Sequence, residues 1–161
     1  MSSFATEVRA IVNAPLAKTF ERIVPIDLPS VFPGFGPLPA VAGTRDQTGG
    51  WDAAGQTRTV LLSDGSSAHE TLTEYRYPRY FAYDVGGFTG ILGRLAKEAH
   101  GEWWFDQGSS SASTAVRWRY AFTSRSAPVS PIVWFITKVL WRGYMRRSLT
   151  LTKLQVEHAA A

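Results

Sequence analysis

The chain has 161 residues, 45% hydrophobic and 19% charged, which is enough apolar material for one packed core and too little charge for a disordered segment. It contains no cysteine, which excludes disulfides and thiolate chemistry and fits a reducing, cytoplasmic location. The net charge is +4, but the basic residues are scattered outside the C-terminal helix and no Gly-rich phosphate loop or RNA-binding signature is present, so no nucleic-acid partner is expected.

His69, His100 and His158 are far apart and form no HxH or HExxH pair. No metal is therefore expected, and no motif asks for a cofactor. The N-terminal residues have neither a basic nor an apolar signal-peptide region. The most apolar stretch, 129–140, contains Lys138 and falls short of the ~20 residues of a membrane span, so no transmembrane segment is expected. Nothing in the sequence fixes an oligomeric state.

Residues 4–12 alternate, with Val8, Ala10 and Val12 on one face and Glu7, Arg9 and Ile11 on the other, which predicts a half-buried strand. Asn13-Ala14-Pro15 opens a short helix, with Asn13 as its expected cap and Pro25 as its stop. A second short helix is predicted over 27–32, and 33–39 (Pro-Gly-Phe-Gly-Pro-Leu-Pro) is a loop. Strands are then predicted over 40–47, 56–62, 68–76, 80–85, 100–107 and 113–123. Ser63-Asp64-Gly65-Ser66, Tyr77-Pro78-Arg79 and Gly108-Ser109-Ser110-Ser111 separate them, giving an antiparallel meander. Residues 86–99 mix glycines with Phe88, Ile91, Leu92 and Leu95. They read either as a mobile apolar lid or as an irregular connection tucked into the core.

After Pro128 the period changes from two to about 3.6. A long amphipathic helix is predicted over 131–158. Ile132, Ile136, Leu140, Gly143, Arg147, Leu151 and Leu154 form its stripe, and Lys138, Arg142, Arg146 and Lys153 lie off it. A helix of that length needs a large surface to lie on, and only the sheet can supply one.

The order strand, two short helices, meander, long helix resembles the START-like helix-grip superfamily, in particular its polyketide cyclase/dehydrase-like and coenzyme-Q-binding-like branch. The resemblance is carried by Val8-Arg9-Ala10-Ile11-Val12-Asn13-Ala14-Pro15, by Ser63-Asp64-Gly65 with His69-Glu70-Thr71-Leu72-Thr73-Glu74-Tyr75 and Tyr77-Pro78-Arg79, by Gly101-Glu102-Trp103-Trp104-Phe105 with Ala115-Val116-Arg117-Trp118, and by the closing helix at 151–157. It spans nearly the whole chain, so 1–161 is expected to be one domain. It implies an α+β helix-grip fold, in which a curved antiparallel sheet of six to seven strands wraps the C-terminal helix around an apolar cavity. The connection at 86–99 is longer than in compact relatives, and Trp134, Trp141 and Tyr144 are bulky enough to narrow such a cavity.

Alternation proposes the inward residues: Leu72 and Glu74, Phe81 and Tyr83, Trp103 and Phe105, Val116, Trp118, Tyr120 and Phe122. Ile136, Leu140, Gly143 and Arg147 face them from the helix. Each aromatic serves equally as plain core, and a one-residue slip exchanges the faces. Glu70, His69 and Arg147 are weak catalytic candidates. Glu70 and Glu74 share a face by even spacing, and Glu70 matches the Glu position that the resemblance implies. A histidine in a cavity is a candidate base, and a charge on an apolar stripe needs a partner, either a ligand carboxylate or enolate or a strand Glu. Three functions compete: binding, transport or sequestration of a hydrophobic small molecule such as a lipid, polyketide or isoprenoid; a cyclase/dehydratase-type enzyme; or an interaction protein using the basic helix face.

Overall fold

The computed structural model describes residues 2–161, so Met1, counted in the expected 1–161 domain, lies outside them. The alternation at 4–12 forms β1 (Ser3–Val12), with Val8 and Val12 buried and Ile11 exposed. Pro15 itself caps α1 (Leu16–Ile23), its carbonyl accepting the Thr19 N–H at 2.9 Å. The expected cap, Asn13, does something else: its backbone N–H donates to Glu157 Oε2 at 2.7 Å and so ties the end of β1 to the C-terminal helix. α2 (Leu28–Val31) follows, with Pro29 in its first turn.

The remaining strands are β2 (Val41–Arg45), β3 (Thr57–Leu62), β4 (Ser67–Arg76), β5 (Tyr80–Gly86), β6 (Ala96–Gln107) and β7 (Thr114–Ser124). They form one curved antiparallel sheet in the order β1-β7-β6-β5-β4-β3-β2. Residues 87–90 turn and lead into α3 (Ile91–Leu95), and β6 starts at Ala96 rather than near residue 100. A register shift between Ala96 and Glu98 interrupts the alternation there, which hid the start of the strand.

The C-terminal helix runs from α4 (Ser130–Phe135) through a π-type segment (Ile136–Trp141) into α5 (Arg142–Ala160). Its buried face is Val133, Thr137, Tyr144, Met145, Ser148, Leu149, Thr152 and Val156. The expected stripe lies beside this face: Ile132 is 50% and Leu154 57% exposed. The stripe followed the most apolar residues, whereas the true face includes Thr137, Ser148 and Thr152. The π segment also puts more residues in a turn and rotates whatever follows.

This helix runs along β1 in the same direction. Lys138 Nζ donates to Ala5 O, and Lys153 Nζ donates to Ile11 O at 2.7 Å. Fifteen helical residues rise ~22 Å and six strand residues span ~20 Å, so the two lysines match the strand's pitch. They also occupy carbonyls on an edge strand that would otherwise be open to another chain. Two members of the expected free basic face are therefore tethers.

One part of the space between sheet and helix is solid. Phe20 of α1, fully buried, meets the rings of Tyr75, Tyr77, Phe81 and Phe105 edge-on at 5.0–6.1 Å. The aromatics that fill this part leave the part beside β3 and β4 less filled.

Candidate functional site

The unfilled part is a cavity of about 160 Å³. Its walls come from α2 and the 32–39 loop, the inner faces of β3 to β7, residues Phe88 and Leu92 of the connection before β6, and the C-terminal helix at Ile136, Trp141, Tyr144, Ser148 and Thr152. Nearly all of it is apolar. The reason is alternation: Phe81 and Tyr83 on β5, Trp103 on β6, and Trp118, Tyr120 and Phe122 on β7 all point inward, while Asp84, His100, Glu102 and Arg119 take the outer face.

The cavity has one charged pole. Arg58 on β3 is 7% exposed and pairs through Nε with Glu70 Oε1 on β4 at 2.8 Å. Arg58 and Glu70 stand directly opposite each other in the β3–β4 register. This is the one hydrogen bond the Arg58 side chain makes among the described residues, so its terminal nitrogens are left available. The guanidinium lies over the Trp51 ring, 4.0 Å from Cζ to the ring centroid. Trp51 is 1% exposed and adopts φ 59°, a left-handed conformation that strains a bulky residue by ~1–3 kcal/mol. The 46–56 connection accepts that strain in placing the indole beneath Arg58.

Tyr83 completes the pole. Its hydroxyl accepts the Trp118 indole N–H at 3.2 Å, which leaves its own proton free to donate. Burial, reinforced by the charge of Glu70, pushes the Tyr83 hydroxyl far above its ordinary value, so it keeps that proton at neutral pH. Gly101 lies opposite Tyr83 on β6, and a Cβ there would sit 2.2 Å from Tyr83 Cζ. Only a glycine lets the ring lie flat against the strand at that point. On the helix side, the Trp141 indole N–H is buried with no partner among the described residues. Tyr144 closes the far wall. Its hydroxyl donates to Pro39 O at 3.0 Å and accepts the Gly34 N–H at 2.8 Å, holding the 33–39 loop to the helix.

Of the residues singled out from the sequence, Glu70, Phe81, Tyr83, Trp103, Trp118, Tyr120, Phe122 and Ile136 line the cavity, while Val116 is buried outside its wall. Leu72 and Phe105 point inward but are fully buried outside the cavity wall, Phe105 against Phe20. Glu74 does not share a face with Glu70: a β-bulge at Thr73 turns it outward to Arg76 and brings Tyr75 in. Leu140 and Arg147 lie off the buried face of the helix, and Arg147 is exposed. Gly143 opens room neither under the sheet nor in the cavity, because its near neighbour is the Phe35 ring of the 33–39 loop. His69 is exposed on the outer face of β4.

Trp51 and Arg58 were missed. Trp51 falls in a predicted loop, and only the Gly49-Gly50 before it hinted that an indole could turn inward. Arg58 was out by one step: counting equally from the two ends of the Ser63–Ser66 turn sets it opposite Thr71, and the tighter turn, with Leu62 N–H bonded to Ser66 O, puts it opposite Glu70. As for the lid, the 86–99 connection tucks Phe88 and Leu92 into the cavity wall and leaves Ile91 outside.

Solved structures share this architecture at low identity. Norcoclaurine synthase of Thalictrum flavum, a point mutant with a transition-state analogue, is similar over 99% of this chain and 98% of its own, at 10% identity and TM-score 0.73. Ara h 8.0201 is similar over 96% and 98%, at 16% identity and TM-score 0.69. A protein of Bacillus thuringiensis is similar over 95% and 98%, at 14% identity and TM-score 0.65. No protein-family model matches the chain, and no curated protein matches its sequence. At these identities the likeness establishes architecture alone, and with the seven-stranded sheet closed on its C-terminal helix the chain has a helix-grip fold.

Proposed function

We propose that the chain binds a small hydrophobic molecule, of aromatic, polyketide or isoprenoid type, that carries one hydroxyl or carbonyl group. The observation that supports this is the one charged pole, Arg58 with Glu70, in a mostly apolar cavity. Arg58 offers donors and Glu70 an acceptor, and together they carry no net charge. A group that both gives and accepts hydrogen bonds suits them, whereas a carboxylate would meet Glu70 as a like charge. The enclosed volume is close to the ~150 Å³ of an engineered cavity that takes up benzene. One ring fits inside, and a longer molecule, such as an acyl lipid, would run out through the mouth.

Binding is favoured over cyclase or dehydratase chemistry. Glu70 is held by Arg58 and the Tyr83 hydroxyl keeps its proton, so the pole offers hydrogen bonds and no ready base. Arg147 and His69, the other candidates for chemistry, lie outside the cavity.

The test uses the protein's own fluorescence, because Trp51, Trp103, Trp118 and Trp141 all line the cavity. Titration with 1-naphthol, naphthalene and 1-naphthoate is expected to quench it. A hydrogen bond to a charged group contributes ~1.5 kcal/mol or more, so 1-naphthol should bind about tenfold more tightly than naphthalene. Equal affinity for the two, or tightest binding of 1-naphthoate, would overturn the assignment of the pole.

A further inference from the structure

Apart from the cavity, a groove of about 730 Å³ runs between the free edge of β1 and the C-terminal helix. Residues 5–9 form one wall, Trp134, Lys138, Arg142 and Arg146 the other, and Arg119 of β7 lies beside them. The four helix residues recur at every fourth position, and the π-type segment, with its wider turn, keeps such positions nearly in line. The groove holds five of the chain's 17 basic residues and one of its 13 acidic ones, which leaves twelve of each for the rest of the molecule. The whole net charge of +4 is therefore concentrated here. The one acid, Glu7, is already engaged, its carboxylate accepting from Arg9 Nε at 2.9 Å and from Arg117 Nη1 at 3.2 Å. Arg142 and Arg146 are exposed and carry no ion pair among the described residues. Nor does their own helix offer them an acid, since the sequence has none from 107 to 156.

The strand wall is unfinished too. Ala5 O and Ile11 O accept from lysines of the C-terminal helix, and the Asn13 N–H donates to it, so these groups point away from β7. Successive residues of an edge strand alternate in the side to which they turn N–H and C=O. Those of Glu7 and Arg9 therefore face the groove as well, and among the described residues they have no partner. Lys138 closes one end of this open stretch and Lys153 the other.

We propose that the groove takes up an extended acidic peptide segment of another protein, which adds to the edge of β1 at Glu7 and Arg9 and turns alternate carboxylates toward Arg142 and Arg146. The two arginines stand ~6 Å apart along the helix, and alternate side chains of a strand ~7 Å apart, so one carboxylate can meet each. The peptide backbone supplies both donors and acceptors to β1, as strand addition requires. Trp134 gives its neighbouring side chains an apolar surface. A second copy of this chain fits poorly, because its own β1 edge would bring the same cations. A single-stranded nucleic acid would suit the cations and leave the two carbonyls without donors. The groove has over four times the volume of the ligand cavity, so one small anion would fill little of it. This inference is independent of the ligand assigned above.

Fluorescence anisotropy of labelled octapeptides with the full chain tests it. A peptide of alternating Thr and Glu is expected to bind, with affinity fading as salt is raised. Its Thr-Gln counterpart should bind about tenfold more weakly, and R142A/R146A should weaken the Thr-Glu peptide by a similar factor. R45A, on β2 at the opposite edge of the sheet, should leave binding intact. Two further peptides are N-methylated, one at every Glu and one at every Thr. Only one set of amides faces β1, so one methylated peptide should lose binding and the other keep it. The proposal is overturned if the Thr-Glu peptide fails to bind at low salt, or if R45A acts as strongly as R142A/R146A. It is overturned equally if both methylated peptides bind like the parent, which would leave charge alone as the cause, or if a thymidine oligonucleotide of the same length binds more tightly.

Discussion

Changing Glu70 to Gln would leave the Arg58 guanidinium buried over Trp51 without its counter-ion. The side chains of the pair are 8% and 13% exposed, so solvent can replace little of what is lost. Removing one partner of a buried pair costs about 3–5 kcal/mol, whereas replacing both by apolar residues of similar size is often neutral or stabilising. For a chain of this length, 3 kcal/mol corresponds to a fall in Tm of about 6–12 °C. The assay is urea denaturation of three variants: Glu70→Gln, Arg58→Met, and the apolar replacement Arg58→Met/Glu70→Leu. Both singles should lose stability and the double should recover most of it. The recovered double should also bind naphthalene as before and lose its preference for 1-naphthol, which separates the pair's role at the pole from its role in folding. Single variants within about 1 kcal/mol of the parent would refute the claim that the pair is desolvated. A double variant that kept the 1-naphthol preference would refute its role in recognition.

Gly101→Ala should drive the Tyr83 ring out of place, since the new Cβ would lie 2.2 Å from Cζ; overpacking of this kind costs about 1–3 kcal/mol, read by urea denaturation, with a matching loss of naphthol quenching. Phe20→Ala, at a fully buried site among four rings, should cost about 3–5 kcal/mol in the same assay without altering which naphthalene derivative is preferred. The Lys153 ammonium, then the Asn13 N–H, hold the Glu157 carboxyl below its ordinary 4.5. The folded state thus holds this proton less tightly than the unfolded chain, and the stabilisation is present above about pH 4.5 and lost as pH falls through the lowered value. Tm measured from pH 6 down to pH 3 should therefore drop less in Glu157→Gln than in the parent, by an amount equivalent to about 0.5–1 kcal/mol for a pair at this exposure. Tyr144→Phe removes the clamp on the 33–39 loop and should cost about 1 kcal/mol with raised protease cleavage near Gly34.

Much of the site was legible because alternation is a local property. Once β5, β6 and β7 are drawn as strands, the period of two sets Phe81 with Tyr83, Trp103 with Phe105, and Trp118 with Tyr120, and any register that buries one buries the rest. Alternation fails at a bulge. Glu74 was set beside Glu70 by even spacing, yet one extra residue at Thr73 exchanged it with Tyr75, and no residue type in that stretch announces the insertion. The helix was misread for a related reason. Its apolar residues outnumber the positions it buries, so the stripe could be drawn through Ile132, Leu140 and Leu154 as easily as through Val133, Thr137 and Met145.

The sequence by itself determined the order of the elements, the antiparallel meander, the length of the closing helix and the aromatic content of the interior. Each follows from short-range patterning: turn residues, side-chain period, and prolines at helix starts. Tertiary structure decided which part of the interior was filled and which left open, because that depends on Phe20 reaching Tyr75 and Phe105 across the sheet. It decided that Trp51, from a glycine-flanked loop, would hold a left-handed backbone in order to lie under Arg58. It also decided that the helix would turn Ser148 and Thr152 toward the cavity and leave Trp134 and Phe135 outside. These are questions of which surface meets which, and the energy that settles them comes from burial between segments far apart in the chain.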